Sequence, residues 1–284
     1  MTAEHVTAQH LTAQHPTAQH PIAQHPIAQQ QVVADLAAEN EDLDARVAGL
    51  DEAGWATPTS AAGWDVAHQL AHLAWTDHAS LLAATDPDGF ATLLAGAAQD
   101  PAGFVDAAAA RGAQQPPAEL LAGWRTGRAE LLGALAAVPP GVKIPWFGPP
   151  MSATSMATAR IMETWAHGQD VADALGDARQ PTARLKHVAH IGVRTHGFAH
   201  LVRGLEPPAA PVRVELTAPD GSLWIWNEDA VDVLRGPALD FCLLVTQRRH
   251  REDLALVAEG PVAQQWLPIA QAFAGPPGPG RAAS

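Results

Sequence analysis

Three residues whose types invite chemistry, Glu163, His167 and Asp170, lie in the stretch ETWAHGQDVADALG at 163–176. At about 100° per residue, steps of four and three keep them on one stripe of a helix. Glu163 and His167 are one turn apart and can reach a single cation, and Asp170 is spaced to act beyond them as the acceptor that fixes a ring tautomer. A tetrahedral site then needs one more protein ligand and an open position. The stretch DVAHQLAHLAW at 65–75 offers His68 and His72, again four apart, with His78 further on. Two imidazoles and a carboxylate suit Zn²⁺ or another divalent transition metal and leave room for water or substrate. The competing reading is a solvated helix face, because Ile161, Trp165, Ala172 and Leu175 form an apolar stripe roughly opposite. Spacing alone chooses neither between these readings nor between His68 and His72.

Other polar groups are weaker candidates. His187, His190, His196 and His200 fall within fourteen residues, but on one continuous helix the first pair and the second face opposite ways and cannot form one site. In QRRHRED, Arg248, Arg249 and Arg251 cluster in an otherwise acidic chain. Arg248 and Arg249 suit bidentate recognition of an anionic substrate, and salt bridges to neighbouring carboxylates are the other role open to them. Cys242, the one cysteine, sits in the apolar run ALDFCLLV and is expected to be buried packing rather than a nucleophile. The phosphate-binding, dinucleotide, serine-elbow and CxxC signatures are absent.

The whole chain narrows the partners. Its formal net charge is -13, and Lys143 and Lys186 are its only lysines, so nucleic acid and anionic membrane are poor partners. No apolar run approaches the ~18 residues of a membrane span, and the N-terminus lacks a basic and apolar leader pattern. A lone cysteine excludes an internal disulfide, and a cytoplasmic location is the expectation. With no tyrosine, catalytic protons must come from His, Asp, Glu or water.

The elements that must position the candidate ligands follow from periodicity. Residues 1–30 repeat a five-residue unit carrying His5, His10, His15, His20 and His25, and are expected to be a disordered tail. From Gln31, the stripe Val33, Leu36, Leu43, Val47 and Leu50 predicts a first helix. Asp65 is placed to cap a second, carrying His68 and His72. Short Ala-rich helices follow, then a third long helix on Leu120, Leu121, Trp124, Arg128, Leu131, Leu132 and Leu135, a rigid Pro-rich loop, and a fourth from about Ser155 to Leu175. Four long helices predict a bundle over 31–180. Beyond Pro181 the pattern predicts one more helix, a hairpin of VRVEL and LWIWN about a PDG turn, and then helix, strand, helix. The chain is therefore expected to be mainly α, with a small α+β domain at 181–284.

The combination WATPT...GWDVAHQLAHLAW with ARIMETWAHGQDVADALG, ninety residues on, resembles the mycothiol-dependent maleylpyruvate isomerase family, within the DinB-like metal-binding four-helix bundles. The match spans about residues 31–180. The segment after it is similar to the extra domain of an actinobacterial branch of metal-binding proteins. The resemblance implies His72, Glu163 and His167 as ligands, and an inward-facing polar stripe on the fourth helix. It also implies a divalent metal, most readily Zn²⁺, and mycothiol as co-substrate with a small anionic or electrophilic partner, in an isomerase or S-transferase reaction. A non-catalytic metal-dependent binding module and a metal-dependent hydrolase are the alternatives carried forward.

Overall fold

The computed structural model describes residues 29–101, 103–278 and 280–283. The pentapeptide repeat lies outside the described residues except for Gln29 and Gln30, which already belong to the first helix.

Four long helices, α1 (Gln29–Val47), α3 (Val66–Thr85), α6 (Pro117–Ala137) and α7 (Ala153–Leu175), pack together, with α2 (Glu52–Trp55), α4 (Pro87–Ala97) and α5 (Phe104–Gly112) between them. The buried face of α1 is Val32, Leu36, Leu43 and Val47, so the expected stripe holds except that Val32 replaces a half-buried Val33 and Leu50 lies beyond the helix end; on α6, Leu120, Trp124, Leu131 and Leu135 are buried as expected. Local chemistry sets the ends. The Asp65 carboxylate accepts from the backbone N–H of His68 at 3.0 Å, an N-cap that stabilises the start of α3 by about 1 kcal/mol. Ser152 caps α7 in the same way, and Gly176, at φ +68°, ends it in the left-handed conformation while Asp177 donates back to the Ala172 carbonyl at 2.8 Å. The Pro-rich loop before α7 is held by a two-residue ribbon, β1 (Lys143–Ile144) against β2 (Met151–Ser152).

Beyond α7 come α8 (Leu185–Arg194), α9 (His196–Leu201), β3 (Arg213–Thr217), β4 (Leu223–Trp226), β5 (Val233–Pro237), α10 (Ala238–Val245), β6 (Val257–Glu259) and α11 (Pro261–Trp266). The sheet order is β4-β3-β5-β6. The hairpin expected about Pro219, Asp220 and Gly221 is β3 with β4, pairing Val214 with Trp226. Two features differ from expectation. The sheet gains β5, parallel to β3, from a short segment without the alternation that marks the hairpin. The single helix expected after Pro181 is two, because Thr195 breaks it: its hydroxyl donates within reach of the Ile191 and Gly192 carbonyls and at 2.6 Å to that of Gln271.

The C-terminal unit shares a core with the bundle. Met162, Trp165 and Ala166 of α7 pack into the same cluster as Val188, Leu234, Phe241 and Trp266. The connection is pinned by charge: Arg179 and Arg184 both bind Glu39 of α1, at 2.5 and 2.6 Å, and Glu39 is almost fully buried. In consequence α7 is covered on nearly every side, and its polar stripe is not a surface.

Buried polar groups on α7 are therefore matched across the bundle. Arg160 and Asp77, each 2% exposed, pair at 2.8 Å, and the Trp124 indole donates to the other Asp77 oxygen at 3.1 Å. Removing one partner strands a buried charge, so Asp77→Ala is expected to lower stability by about 3–5 kcal/mol. The double change Asp77→Ala with Arg160→Met should recover most of that loss. Urea unfolding midpoints of the wild type and the two variants measure both effects.

Candidate metal centre

Helix α3 presents Gln69, His72 and Asp77, and α7 presents Arg160, Glu163 and His167. The contacts pair Asp77 with Arg160, His72 with Glu163, and Gln69 with His167. Ascending numbers on one helix meet descending numbers on the other, so the two run antiparallel with three polar tiers between them. Asp77 and Arg160 form an ion pair through Arg160 Nε, which leaves Arg160 Nη2 buried without a hydrogen-bond partner among the described residues. The other two tiers form the site.

His72 Nε2 lies 3.5 Å and His167 Nε2 3.3 Å from the same Glu163 carboxylate oxygen, Oε2. Donor atoms of all three residues fall within 4.8 Å of one another. These contacts are long for hydrogen bonds to a carboxylate, whereas two ligands at ~2.0–2.1 Å from one ion at the tetrahedral angle stand roughly 3.4 Å apart. The donors thus converge at coordination spacing. His68 stays out: its Nδ1 is 2.7 Å from the carboxylate of Asp65, its own helix cap.

The protonation states follow from the neighbours. Thr59 donates its hydroxyl to the Trp64 carbonyl at 2.9 Å, so the same oxygen must accept from the Gln69 amide nitrogen, also at 2.9 Å. This orients the Gln69 carbonyl oxygen to accept from His167 Nδ1–H at 2.5 Å, and the lone pair of His167 is left on Nε2, facing Glu163. Burial pushes the His167 imidazole down to about 4, with the charges of His72 and Arg248 adding to the effect and Glu163 opposing it. Burial acts to raise the Glu163 carboxyl, but the two imidazole edges that face it, those of His167 and His72, outweigh burial and hold it well below the usual carboxylate value. At neutral pH the site offers an ionised carboxylate and a neutral imidazole, the forms a cation requires. His72 contributes a buried Nδ1 with no partner among the described residues.

Around the centre, the structure departs from expectation at Asp170. Its carboxylate, 1% exposed, does not meet an imidazole: Oδ2 binds Arg248 at 2.8 Å, and Oδ1 binds Arg281 at 2.9 Å and the Ser60 hydroxyl at 3.2 Å. The tautomer-fixing acceptor is Gln69, which the spacing of charged residues did not mark. Arg248 and Arg249, considered for anion recognition, are engaged in ion pairs, Arg248 with Asp170 and Arg249 in two bonds of 2.7 Å with Asp173. Trp64, half-buried on the loop before α3, sets its ring against His72 and His167 at centroid distances of 5.5 and 6.1 Å.

The second histidine group does not gather. His187 pairs with Asp35 at 2.7 Å, His190 accepts from the Trp226 indole at 3.3 Å, and His196 and His200 stand ring to ring at 5.1 Å beside Trp266. Cys242 is fully buried, and burial pushes its thiol well above the usual value, as a packing residue requires. Among the described residues no helix is long and apolar enough to cross a membrane.

The model of the mycothiol maleylpyruvate isomerase N-terminal domain matches residues 36–172, a span that contains His72, Glu163 and His167. A second model, described as wyosine base formation, matches 208–259, the sheet region. Two uncharacterized proteins of Mycobacterium tuberculosis, from strains CDC 1551 / Oshkosh and ATCC 25618 / H37Rv, are each 58% identical over 250 residues, 88% of this chain and 97% of theirs. Crystal structures of the mycothiol-dependent maleylpyruvate isomerase and of a single-site mutant superpose with a TM-score of 0.57 at 14% identity, over 84% of this chain and 97% of theirs. That likeness establishes a shared fold, a helical bundle followed by a small α+β unit. The domain match assigns residues 36–172, the bundle that carries His72, Glu163 and His167, to the mycothiol maleylpyruvate isomerase N-terminal domain family, and the shared fold agrees with it.

Proposed function

We propose that the chain binds a divalent cation through His72 Nε2, Glu163 Oε2 and His167 Nε2, and that the site serves a thiol-dependent isomerase or S-transferase reaction with mycothiol as co-substrate. The observation that carries this reading is the convergence of the three donors from two helices, with Gln69 holding His167 in the ligating tautomer. Two imidazoles and one carboxylate suit Zn²⁺ and leave a coordination position for an exogenous ligand. Bound there, a divalent cation supplies a Lewis acid that lowers the pKa of a coordinated thiol.

The chain's own residues prepare the site for that chemistry. Glu163 is held ionised and His167 neutral, so neither must shed a proton at neutral pH before binding. Trp64 shields one side of both rings from bulk water, which strengthens electrostatic interactions within the site. The small thiol and an electrophilic acceptor are the partners proposed, with a cytoplasmic location, where a thiol stays reduced.

Metal content of wild type and His72→Ala, both as full-length chains, tests the reading, since the histidine repeat is common to both. The wild type should hold one equivalent of divalent metal more than the variant, whatever the repeat takes up; equal content in the two refutes the site. Gln69→Leu keeps all three ligands but removes the acceptor on His167, and should weaken metal affinity by about 10–100-fold, measured by competition with a chelator. Thiol dependence is tested on the Co²⁺-substituted protein, where mycothiol should produce a thiolate charge-transfer band; its absence, together with no turnover of a thiol adduct, favours the binding module.

Acid stability of the metal-free protein follows from His167. Its value falls from 6.5 to about 4 on folding, so between these limits the unfolded chain binds more protons than the folded one. Its contribution is nil above about 6.5, and becomes increasingly destabilising as pH falls toward about 4. His196, also lowered to about 4 chiefly by burial, acts in the same direction. Urea midpoints should fall across that window, and His167→Gln should flatten part of the slope.

A further inference from the structure

The loop of residues 56–65 crosses the centre and carries Trp64 against both imidazoles. Its own bonds are local: Thr59 N–H to the Trp64 carbonyl at 2.8 Å with the Thr59 hydroxyl on the same carbonyl, Trp64 N–H to the Ala61 carbonyl at 3.0 Å, Val66 N–H to the Thr57 carbonyl at 3.1 Å, and the Gln69 amide of α3 on the Thr59 hydroxyl. What ties it to α7 is remote in sequence. Arg281 donates one guanidinium nitrogen to the Ser60 carbonyl and another to Asp170 Oδ1 at 2.9 Å, while the Ser60 hydroxyl also donates to that oxygen. One planar fork thus joins the loop backbone to a carboxylate located one turn from His167.

Asp170 does not need Arg281 for neutralisation. Arg248 already gives its Oδ2 two bonds, of 3.2 and 2.8 Å, and is further held by the Thr246 carbonyl. The Arg281 side chain is 25% exposed, against 14% for Arg248. Arg248 is therefore the buried partner of Asp170, and Arg281 the outer clasp that reaches from Asp170 to the loop. The segment that delivers it is anchored upstream, where Ala272 N–H donates to the Val245 carbonyl at 2.7 Å and the Gln271 amide donates to the Phe273 and Gly275 carbonyls.

We infer that Arg281 is a positioning residue whose clasp on Ser60 and Asp170 holds the 56–65 loop, and with it Trp64, closed over the His72, Glu163 and His167 centre. The covering role rests on the metal reading given above; the clasp itself does not.

The test is amide hydrogen exchange on the full-length, metal-free chain. Arg281→Ala leaves Asp170 paired with Arg248, so the fold should persist, and the Thr59 and Trp64 amides should exchange about tenfold faster while the interiors of α3 and α7 are unchanged. Wild-type exchange in the loop overturns the clasp. Arg281→Lys keeps the charge but lacks the fork that spans both acceptors, so it should resemble the alanine variant, and wild-type exchange in it overturns the bidentate assignment. In the Zn²⁺-loaded protein, a chelator should strip the ion several-fold faster from Arg281→Ala and from Trp64→Ala than from wild type, with one equivalent bound at saturation in each. Unchanged stripping in both overturns the covering role. A wild type that takes up no metal refutes the metal reading instead, and the exchange measurement still decides the clasp.

Discussion

Burial of α7 on nearly every side is the constraint from which the rest of the structure follows. A helix with a polar stripe that is sealed between a bundle and a second unit must find partners for each of those groups, because unpaired polar atoms in a dry interior cost several kcal/mol. Asp77 meets that demand for Arg160 Nε, and the arginines of the C-terminal unit meet it for Asp170 and Asp173. Between those ends, Glu163, His167 and His72 approach one another at distances better suited to a shared ion than to hydrogen bonds. At these three residues the protein's own contacts leave room for an ion, and His72 Nδ1 stays without a partner among the described residues.

The C-terminal unit braces the helix that carries Glu163 and His167 and contributes none of the three residues of the candidate centre. Its core is continuous with Met162, Trp165 and Ala166, so the face of α7 opposite the ligands is fixed by packing. Its loop after α10 contributes Arg248 and Arg249, and the segment after α11 contributes Arg281. All three meet α7 within two turns of His167. Of the two carboxylates they meet, only Asp170 is buried, so loss of its arginine partners would strand a buried charge, whereas the part-exposed Arg249–Asp173 pair holds less strongly. The Glu39 cluster with Arg179 and Arg184 acts likewise at the connection, and together these bonds set the angle at which the second unit leaves the bundle.

Much of this was legible in the residues. Apolar spacing located α1, α3, α6 and α7, Asp65 marked the start of α3, and the alternation about Pro219, Asp220 and Gly221 marked the β3 and β4 hairpin. Motif resemblance, rather than spacing, separated His72 from His68 and turned the polar stripe of α7 inward. Less accessible was β5, as long as β3 but buried only at Val233 and Leu234 and grading to an exposed Pro237, so it lacks the period-two pattern that marks the hairpin strands. The break at Thr195 was also hidden, because the hydroxyl contacts that accompany it include the distant Gln271 carbonyl.

By itself, the sequence determined which residues share a helix face, since spacing along a regular helix is an angle: Glu163 with His167, and His68 with His72, were fixed to common stripes by counting alone. Only the tertiary structure decided what each stripe faces. Gln69 and not Asp170 holds His167, Asp170 instead gathers Arg248, Arg281 and Ser60, and Trp64 closes one side of the centre. Those assignments join residues about 78 to 111 apart along the chain, and no local periodicity carries the relative rotation of two packed elements.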